Sequence, residues 1–311
     1  MQTSKVFIAS AAEHLSNKLI EELNISSKKI NSKNEFKLGK HSIQRYSDGE
    51  IDIEIEIDDT ISSNPIILIQ SLSFPINDNL MELLLFIDAL KSAEAKNIIL
   101  LIPYIAYARG DKLKKNKSCA AKVLGNLLNH EEIKKIITID IHSQESLNLI
   151  KKPIINLLPC KEFANHISRQ NYSNPIIGSP DEGGIERGKR LAEELKLPFA
   201  YLEKTRDSSN IASITKIHGN VKNKTCIIYD DIVDTAGTLI KAAEYIKENG
   251  ASKIIACCTH PVLSNNAEQK IEHSCIEQLI TTDTIKPNNK QTSKIITISN
   301  IDNIVKELLS N

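Results

Sequence analysis

The segment from 226 to 239 is chemically the most distinctive part of the chain. Between an apolar strand-like run and a helical pattern that starts at Leu239, it contains Asp230, Asp231, Asp234, Thr235, Ala236, Gly237 and Thr238. Backbone N–H groups and the helix dipole favour an anion at a helix N-terminus, and glycine lets the backbone approach it closely. The loop at 235–238 is therefore suited to bind a phosphate.

The three aspartates indicate a second component of the ligand. They cannot serve the phosphate, because like charges repel. They can accept hydrogen bonds from sugar hydroxyls or hold Mg²⁺ through water. An ordinary capped helix would explain Thr235 or Thr238 but not three acids at one strand end. We therefore interpret the segment as a ribose-phosphate site.

Another aspartate and two cations follow predicted strands in the same half of the chain. Asp181 comes after the strand at 176–178, beside two glycines that suggest close approach of a ligand, although a helix cap would also explain it. Lys204 and Arg206 follow the strand at 199–202. Beside an acidic sugar site, two cations can neutralise charge on a transferring diphosphoryl group.

The first half of the chain has a strand-end histidine and a basic loop. His142 follows the strand at 136–141 and could face a metal or a phosphate, although many such histidines are structural. Arg109, Gly110 and Asp111 open a loop with four lysines between 112 and 117. A solvated loop is the default interpretation. The functional alternative is a flap that closes cations over a triphosphate and excludes water.

An aromatic and acidic segment precedes a strand-like alternation of isoleucines and acids at 51–57. Its residues are Tyr46, Asp48, Gly49 and Glu50. An Asp-Gly pair before a strand is most often a turn. An aromatic face with acids nearby could instead stack on a purine and bond its amino group. Both interpretations remain open at this point.

The composition bounds the class of protein. The chain has 311 residues, of which 41% are hydrophobic and 25% charged, as in globular proteins with a buried core. Lys+Arg and Asp+Glu are both 39, so the zero net charge argues against nucleic acid or membrane as a partner. No apolar stretch approaches the roughly 20 residues of a membrane span. The six cysteines show no metal-ligand spacing, so we expect reduced thiols in a cytoplasmic protein.

Strand-like and helical patterns alternate along most of the chain. Such alternation predicts an α/β protein with two parallel-sheet domains of Rossmann-type architecture, because the length exceeds one usual domain. Lys151-Lys152-Pro153 interrupts the pattern. We therefore expect domains at 1–152 and 153–311, with a final helix at 302–309 that could pack back on the first domain. Ligands of such sheets bind outside the carboxyl ends of the strands, where the motifs lie.

The segment at 226–239 resembles the phosphoribosyl pyrophosphate loop of type I phosphoribosyltransferases and ribose-phosphate pyrophosphokinases. The segment at 45–50, the loop after Arg109 and the order of the motifs resemble the pyrophosphokinase (phosphoribosyl pyrophosphate synthase) family over nearly the whole chain. The resemblance implies two phosphoribosyltransferase-like domains in a dimer-based homohexamer. It also implies transfer of the diphosphoryl group of MgATP to ribose 5-phosphate, giving 5-phosphoribosyl 1-pyrophosphate and AMP for nucleotide biosynthesis.

The resemblance also implies roles for individual residues. It implies ATP contacts by Tyr46, Asp48, Gly49, Glu50, Arg109, Gly110, Asp111 and His142, with the segment at 46–50 supplied by a neighbouring subunit. It implies Mg²⁺ ligation by His142 and Asp181, and catalysis by Lys204, Arg206 and His142. It implies ribose 5-phosphate binding by Arg206, Asp230, Asp231, Asp234, Thr235, Ala236, Gly237 and Thr238. The segment at 77–84 also resembles one of the family, and we assign it to packing.

Departures from the family pattern leave two alternatives open. Gly110 stands where a glutamine that contacts ATP is usual, and the basic loop is shorter, with lysines where arginines are frequent. Lys151 and Ile155 stand where aspartates supply a second metal site in many relatives. One alternative is a non-catalytic regulatory relative of the synthase. The other is a type I phosphoribosyltransferase, which would not need the first half of the chain.

Overall fold

Two largely parallel β-sheets organise the computed structural model of the chain, one in each of two units. The structure describes residues 2–32, 34–206, 212–287 and 292–310. The first unit comprises Met1–Leu157, Thr284–Lys286 and Ile301–Asn311, and the second comprises Leu158–Asp283 and Pro287–Asn300.

The first unit is built around a six-stranded sheet. Along the chain it contains β1 (Gln2–Ile8), a 3₁₀ helix (Ser10–Leu15), α1 (Ser16–Lys29), β2 (Asn34–Leu38), β3 (His41–Arg45), β4 (Ile51–Ile55), α2 (Thr60–Ser63), β5 (Ile66–Ile69), α3 (Ile76–Ser92), β6 (Ile98–Ile102), α4 (Ala120–Leu127), β7 (Ile133–Ile139), α5 (Gln144–Leu149) and β8 (Ile154–Leu157). The sheet order is β2-β1-β5-β6-β7-β8, and every pairing in it is parallel. β3 and β4 form a separate antiparallel hairpin.

The second unit is built around a seven-stranded sheet. It contains α6 (Cys160–Ser168), β9 (Pro175–Ser179), α7 (Ile185–Leu195), β10 (Phe199–Arg206), β11 (Ala212–His218), β12 (Thr225–Val233), α8 (Gly237–Glu248), β13 (Lys253–Pro261), α9 (Ala267–Glu272), β14 (Gln278–Thr282) and β15 (Ile295–Ile298). The order is β11-β10-β9-β12-β13-β14-β15, and among the described strands of this sheet only the edge strand β11 pairs antiparallel, with β10. The chain ends with α10 (Ile301–Leu309) in the first unit.

Continuous apolar strands form the centre of both sheets, as the sequence pattern predicts. All four residues of β5 are buried, as expected for a strand covered on both faces. Apolar residues of β1, α1, β5 and α10 form one cluster in the first unit. In the second unit, one cluster includes α8 and another includes α6 and α7. The predicted α/β architecture with two parallel-sheet domains is confirmed. Within the described part of the chain, no helix is long and apolar enough to cross a membrane.

The division between the units lies later than the sequence pattern predicts. β8 pairs in parallel with β7, so residues 154–157 belong to the first sheet. The division therefore falls between Leu157 and Leu158, not after Lys152. Lys151-Lys152-Pro153 is the connection into an edge strand, and no composition signal distinguishes such a connection from a linker.

Candidate active site

Two of the acids singled out in the second unit, Asp230 and Asp231, lie inside a strand. β12 continues to Val233 because its ladder with β13 extends to the pair Val233–Pro261, whereas its ladder with β9 ends at Ile228–Gly178. Asp230 and Asp231 are thus strand residues at the carboxyl edge of the sheet. The sequence pattern, which ends the strand at Tyr229, is wrong on this point.

The loop after β12 leads into a helix whose first N–H groups have no side-chain cap. Ala236 is buried and left-handed, with φ 63°, and α8 begins at Gly237, two residues earlier than the apolar pattern indicates. The first N–H groups of any helix have no partner within it. An added Cβ at Gly237 would meet nothing closer than the Thr235 Oγ1 atom, at 3.9 Å. The protein therefore does not need a glycine here for its own packing, and the space at the helix N-terminus is open to an anion.

A group of carboxylates surrounds Asp230. Burial raises the pKa of Asp230 well above its usual range, and the nearby carboxylates of Asp231 and Asp181 raise it further, while Arg187 opposes them. The Asp231 N–H donates to the Asp230 Oδ1 atom at 3.0 Å. Asp230 therefore retains a proton to higher pH than an ordinary aspartate, and a bound cation would favour its ionised form.

One of these carboxylates, that of Asp231, forms a buried ion pair with Arg187. The Arg187 Nη1 and Asp231 Oδ1 atoms are 3.5 Å apart, and the side chains are 11% and 7% exposed. Arg187 lies in the first turns of α7. The pair gives Asp231 a cationic partner at ion-pair distance within the protein.

Asp181 lies next to this group and forms an ion pair with Lys204. Their Oδ2 and Nζ atoms are 3.5 Å apart, and the Lys204 side chain is largely buried. The Asp181 Oδ1 atom also accepts a bond from the Gly184 N–H at 3.2 Å. Arg206 is the last residue of β10. The structure therefore places Asp181, Lys204 and Asp230 in one region of the second unit.

Gly184 has a structural explanation of its own, besides the ligand contact suggested by the double glycine. An added Cβ at this position would lie 2.5 Å from the Ser179 Oγ atom. That hydroxyl donates to the Asp181 carbonyl at 2.7 Å. Gly184 therefore makes room for the serine that orients the turn around Asp181.

Two polar residues outside the motif contact the loop after β12. The Ser264 hydroxyl donates to the Asp234 carboxylate. The Lys270 Nζ atom donates to the Thr235 carbonyl at 3.3 Å. Asp234 is thereby oriented by a neighbouring loop, and Lys270 adds a cation near the helix N-terminus.

In the first unit, the segment at 46–50 forms the turn of the hairpin β3–β4. The Tyr46 N–H donates to the Glu50 carbonyl and the Gly49 N–H to the Tyr46 carbonyl, both at 2.9 Å. Asp48 accepts from the Glu50 N–H at 3.1 Å, and Gly49 has φ 97°. The turn interpretation therefore holds. The Tyr46 side chain remains 59% exposed, so its ring is accessible to a base.

The basic loop begins with a glycine that is packed against α4. The Gly110 N–H donates to the Tyr107 carbonyl at 3.0 Å, and its carbonyl accepts from the Ala121 N–H at 3.2 Å. An added Cβ would lie 3.0 Å from the Ala120 Cβ atom. A larger side chain at this position would therefore require Ala120 to shift by a few tenths of an ångström.

Asp111 connects the basic loop to the segment that carries His142. The Ser143 hydroxyl donates to the Asp111 Oδ2 atom at 2.6 Å and also caps α5. His142 and Arg109 are both exposed, as are residues 112–118. In the first unit, the strand-end histidine and the base of the loop thus lie together, with their polar groups accessible.

Two family models match the chain on either side of the unit division. The N-terminal domain of ribose phosphate pyrophosphokinase matches residues 4–131, and the phosphoribosyl transferase domain matches residues 154–292. A ribose-phosphate pyrophosphokinase of Bacillus cereus is 41% identical over 264 residues, which cover 84% of this chain and 83% of that protein. The chain belongs to the ribose-phosphate pyrophosphokinase family.

Two further relatives agree with this membership. A ribose-phosphate pyrophosphokinase of Listeria ivanovii is 39% identical over 298 residues, covering 95% of this chain and 90% of that protein. The crystal structure of phosphoribosylpyrophosphate synthetase from Mycobacterium smegmatis aligns with a TM-score of 0.83 at 26% identity, over 98% of this chain and 97% of that chain. The resemblance inferred from the motifs is thus confirmed, and the chain is an enzyme of this family by homology.

This member of the pyrophosphokinase family has few side chains that could bind a metal ion. Among the residues that the structure describes, no three His, Cys, Asp or Glu side chains form a group that could hold a metal ion. Mg²⁺ usually keeps several waters and takes only one or two protein carboxylates besides substrate phosphates. Asp181, which is 39% exposed, fits that requirement better than His142, because Mg²⁺ prefers oxygen. Lys151 and Ile155 offer no carboxylate for a second site.

The sequence motifs missed three residues of this family member's second unit, which are Arg187, Ser264 and Lys270. Each contacts an acid or a loop residue that lies more than 29 positions away along the chain. A charge on a helix or a serine in a loop has no local pattern that indicates such a partner. Only the arrangement of the strands shows the contact.

Proposed function

We propose that this chain transfers the diphosphoryl group of MgATP to ribose 5-phosphate and releases 5-phosphoribosyl 1-pyrophosphate and AMP. The observation that supports it best is the open helix N-terminus at Gly237, which follows the strand that carries Asp230, together with the carboxylate of Asp181 near Asp230. A phosphate and a polyhydroxylated sugar would match these two neighbouring features. A domain of the pyrophosphokinase type, which matches residues 4–131, precedes them in the same chain.

The sugar phosphate would bind at the carboxyl edge of the second sheet. The loop Thr235–Thr238 would bind the 5-phosphate through backbone N–H groups and hydroxyls. Asp230 and Asp234 would accept hydrogen bonds from the ribose hydroxyls. Asp231, with its partner Arg187, would hold Asp230 in position. Since Gly237 has open space in place of a side chain, the phosphate can approach the backbone.

The transferring group would be stabilised by cations. The ribose O1 atom attacks the β-phosphorus in line, the bond from that phosphorus to the AMP oxygen breaks, and the O1 proton leaves to solvent or base. Such a step depends on positioning and charge neutralisation. Lys204 is largely buried and already orients towards Asp181, so it can act with little reorganisation. Arg206 would bind the ribose phosphate and the diphosphoryl group.

The nucleotide would contact segments of the first unit. The resemblance assigns adenine binding to the segment of Tyr46, Asp48, Gly49 and Glu50, and further ATP contacts to Arg109, Gly110, Asp111 and His142. Tyr46 and Arg109 are exposed, which leaves them able to meet a ligand. At Gly110 only the backbone could contribute.

Mg²⁺ is part of the proposal as the partner of the ATP phosphates. It would neutralise phosphate charge when bound. Asp181 and His142 would hold it, as the resemblance implies. The assignment of a dimer-based homohexamer with ATP sites shared between subunits follows the resemblance. None of the six cysteines, all of which the structure describes, forms a disulfide, and this accords with a cytoplasmic setting.

One assay tests the proposal against its alternatives. Purified protein is supplied with ATP, ribose 5-phosphate and Mg²⁺, with and without inorganic phosphate, and AMP is measured. We expect AMP and 5-phosphoribosyl 1-pyrophosphate in equal amounts. No AMP under either condition would favour a regulatory relative. Release of pyrophosphate from 5-phosphoribosyl 1-pyrophosphate that depends on a nucleobase would favour a phosphoribosyltransferase.

A further inference from the structure

The beginning of α3 has polar side chains that its packing against the core does not require. Asn77, Asp78, Asn79 and Glu82 occupy its first two turns, within the segment that the sequence assigns to packing. Asn79 and Glu82 are 4% and 1% exposed. Burying an amide or a carboxylate is costly unless its hydrogen bonds are satisfied. These residues therefore need a role that a leucine or an alanine would not fill.

The buried pair holds the ends of two central strands. Both Glu82 oxygens accept bonds from Ser10, from its N–H and from its hydroxyl, each at 2.8 Å. The Gln70 amide, just after β5, donates to the Glu82 Oε1 atom at 2.9 Å. The Asn79 amide donates to the Ser73 carbonyl at 2.9 Å. The start of α3 is thereby fixed to the carboxyl edge of the first sheet.

The exposed pair reaches in the opposite direction, to two surface segments. The Asp78 Oδ2 atom lies 3.0 Å from the Arg45 Nη1 atom, at the end of β3. Arg45 also donates to the Gly49 carbonyl at 3.4 Å, inside the hairpin turn. Asn77 accepts a hydrogen bond from the Tyr107 hydroxyl. Two consecutive residues of one helix turn thus hold the hairpin and the base of the basic loop.

Tyr107 is a position where such a contact matters for the backbone. It has φ 65°, a conformation that is uncommon for a bulky residue and costs energy. Its carbonyl accepts a hydrogen bond from the Gly110 N–H at 3.0 Å, so the conformation of Tyr107 affects the position of Arg109, which lies between the two residues. The hydrogen bond to Asn77 fixes the Tyr107 side chain in this backbone conformation.

We propose that Asn77 and Asp78 are positioning residues for nucleotide binding, which orient the hairpin turn and the base of the basic loop from one rigid helix end. The proposal rests on the proposed function, in which these two segments contact ATP. Glu82 and Asn79 supply the rigidity by fixing α3 to the sheet. Neither Asn77 nor Asp78 contacts the nucleotide.

Two single variants of the full-length protein test the inference, Asp78→Asn and Asn77→Ala. Surface ion pairs and exposed hydrogen bonds are weak, so the KM for ATP should rise by about two- to fivefold in each. The KM for ribose 5-phosphate and the melting temperature should stay unchanged. Tyr107→Phe should reproduce the effect of Asn77→Ala. The double variant Asn77→Ala/Tyr107→Phe should be no worse than either of its single variants, because both changes remove the same hydrogen bond. Asp88→Asn is the matched control, because Asp88 is an exposed aspartate of the same helix.

The outcomes separate this inference from the proposed function. An unchanged KM for ATP in both variants, or an equal rise for Asp88→Asn, would overturn the inference. An equal rise in both KM values would also overturn it, because it would indicate a general structural effect. Titration calorimetry with a non-hydrolysable ATP analogue and Mg²⁺ gives a readout without turnover. If the unmodified protein forms no AMP but the variants still weaken the analogue, the proposed function fails and the inference stands.

Discussion

The acid group of the second unit and the nucleotide segments of the first unit are held in different ways. Arg187 and Asp231 are 11% and 7% exposed, and burial with like charges raises the pKa of Asp230. In the first unit, by contrast, Arg45 and Asp78 are each 45% exposed and Tyr46 is 59% exposed. Buried charges are costly and rigid, whereas exposed pairs contribute little to stability.

This contrast teaches that the two regions should respond differently to mutation. In the acid group, the side chains that we propose serve the reaction are kept at the expense of folding stability, as expected for preorganised sites. In the exposed segments, side chains can change with almost no effect on folding, so any effect on activity reports ligand contacts or orientation. Variants that separate activity from stability can therefore break or sharpen the comparison.

The largest effect is expected at Lys204. Lys204→Ala removes a largely buried cation of the second unit, and turnover should fall by roughly 10²–10³-fold, as for the loss of one preorganised donor. The measurement is the initial rate of AMP formation at saturating ATP and ribose 5-phosphate. Lys216→Ala, at an exposed lysine of the neighbouring β11, is the control and should retain full activity. Full activity of Lys204→Ala would refute the proposed role.

A smaller effect is expected at the helix N-terminus. Gly237→Ala puts a methyl group into space that the fold leaves open, so the KM for ribose 5-phosphate should rise by about 10–100-fold through misplacement of the phosphate. The melting temperature should not fall. Steady-state kinetics in both substrates, with a thermal melt, measures this.

Gly250 provides the opposite control at the far end of α8. It has φ 94°, so Gly250→Ala should lower stability by about 1 kcal/mol and leave the KM for ribose 5-phosphate unchanged. If Gly237→Ala instead behaved like Gly250→Ala, the glycine at 237 would serve the fold and not a ligand.

Substitution of Asp230 should change activity and folding stability in opposite directions. Its folded-state pKa is raised, so its contribution to stability is present at low pH and is lost as pH rises from its unfolded pKa of about 3.9 through the folded value. Asp230→Asn removes the ionisable group and therefore the loss of stability that accompanies its ionisation. The variant should therefore be about 1–2 kcal/mol more stable than the unmodified protein at pH 7, with a smaller difference at pH 4, while activity falls.

Chemical denaturation at the two pH values measures the effect, and Asp231→Asn is its counterpart. That change removes one partner of the buried pair with Arg187 and should lower stability. A destabilised Asp230→Asn protein would contradict the view that the acid group is retained at a cost to folding.

Much of the architecture could be predicted because local patterns determine it. Apolar runs such as β5 indicate buried parallel strands, and their alternation with helical patterns indicates two sheets. The predictions that were wrong, and the residues that were missed, depend on contacts between residues that are distant along the chain. β12 includes Asp230 because β13 extends its ladder, and residues 154–157 join the first sheet because β7 pairs with them. Arg187 is functional only through an aspartate 44 positions later, and no local periodicity records such a partner.

The smallest effect is expected at the exposed ring of the hairpin. Tyr46→Ala removes a side chain that contributes little to the folded state, so the melting temperature should stay within error of the unmodified protein. If the ring stacks on adenine, the KM for ATP should rise about fivefold, since an aromatic contact contributes about 1 kcal/mol. Tyr46→Phe keeps the ring and should behave as the unmodified protein. An equal loss in both variants would show that the hydroxyl matters instead of the ring face, and no loss in either would remove the hairpin from the nucleotide site.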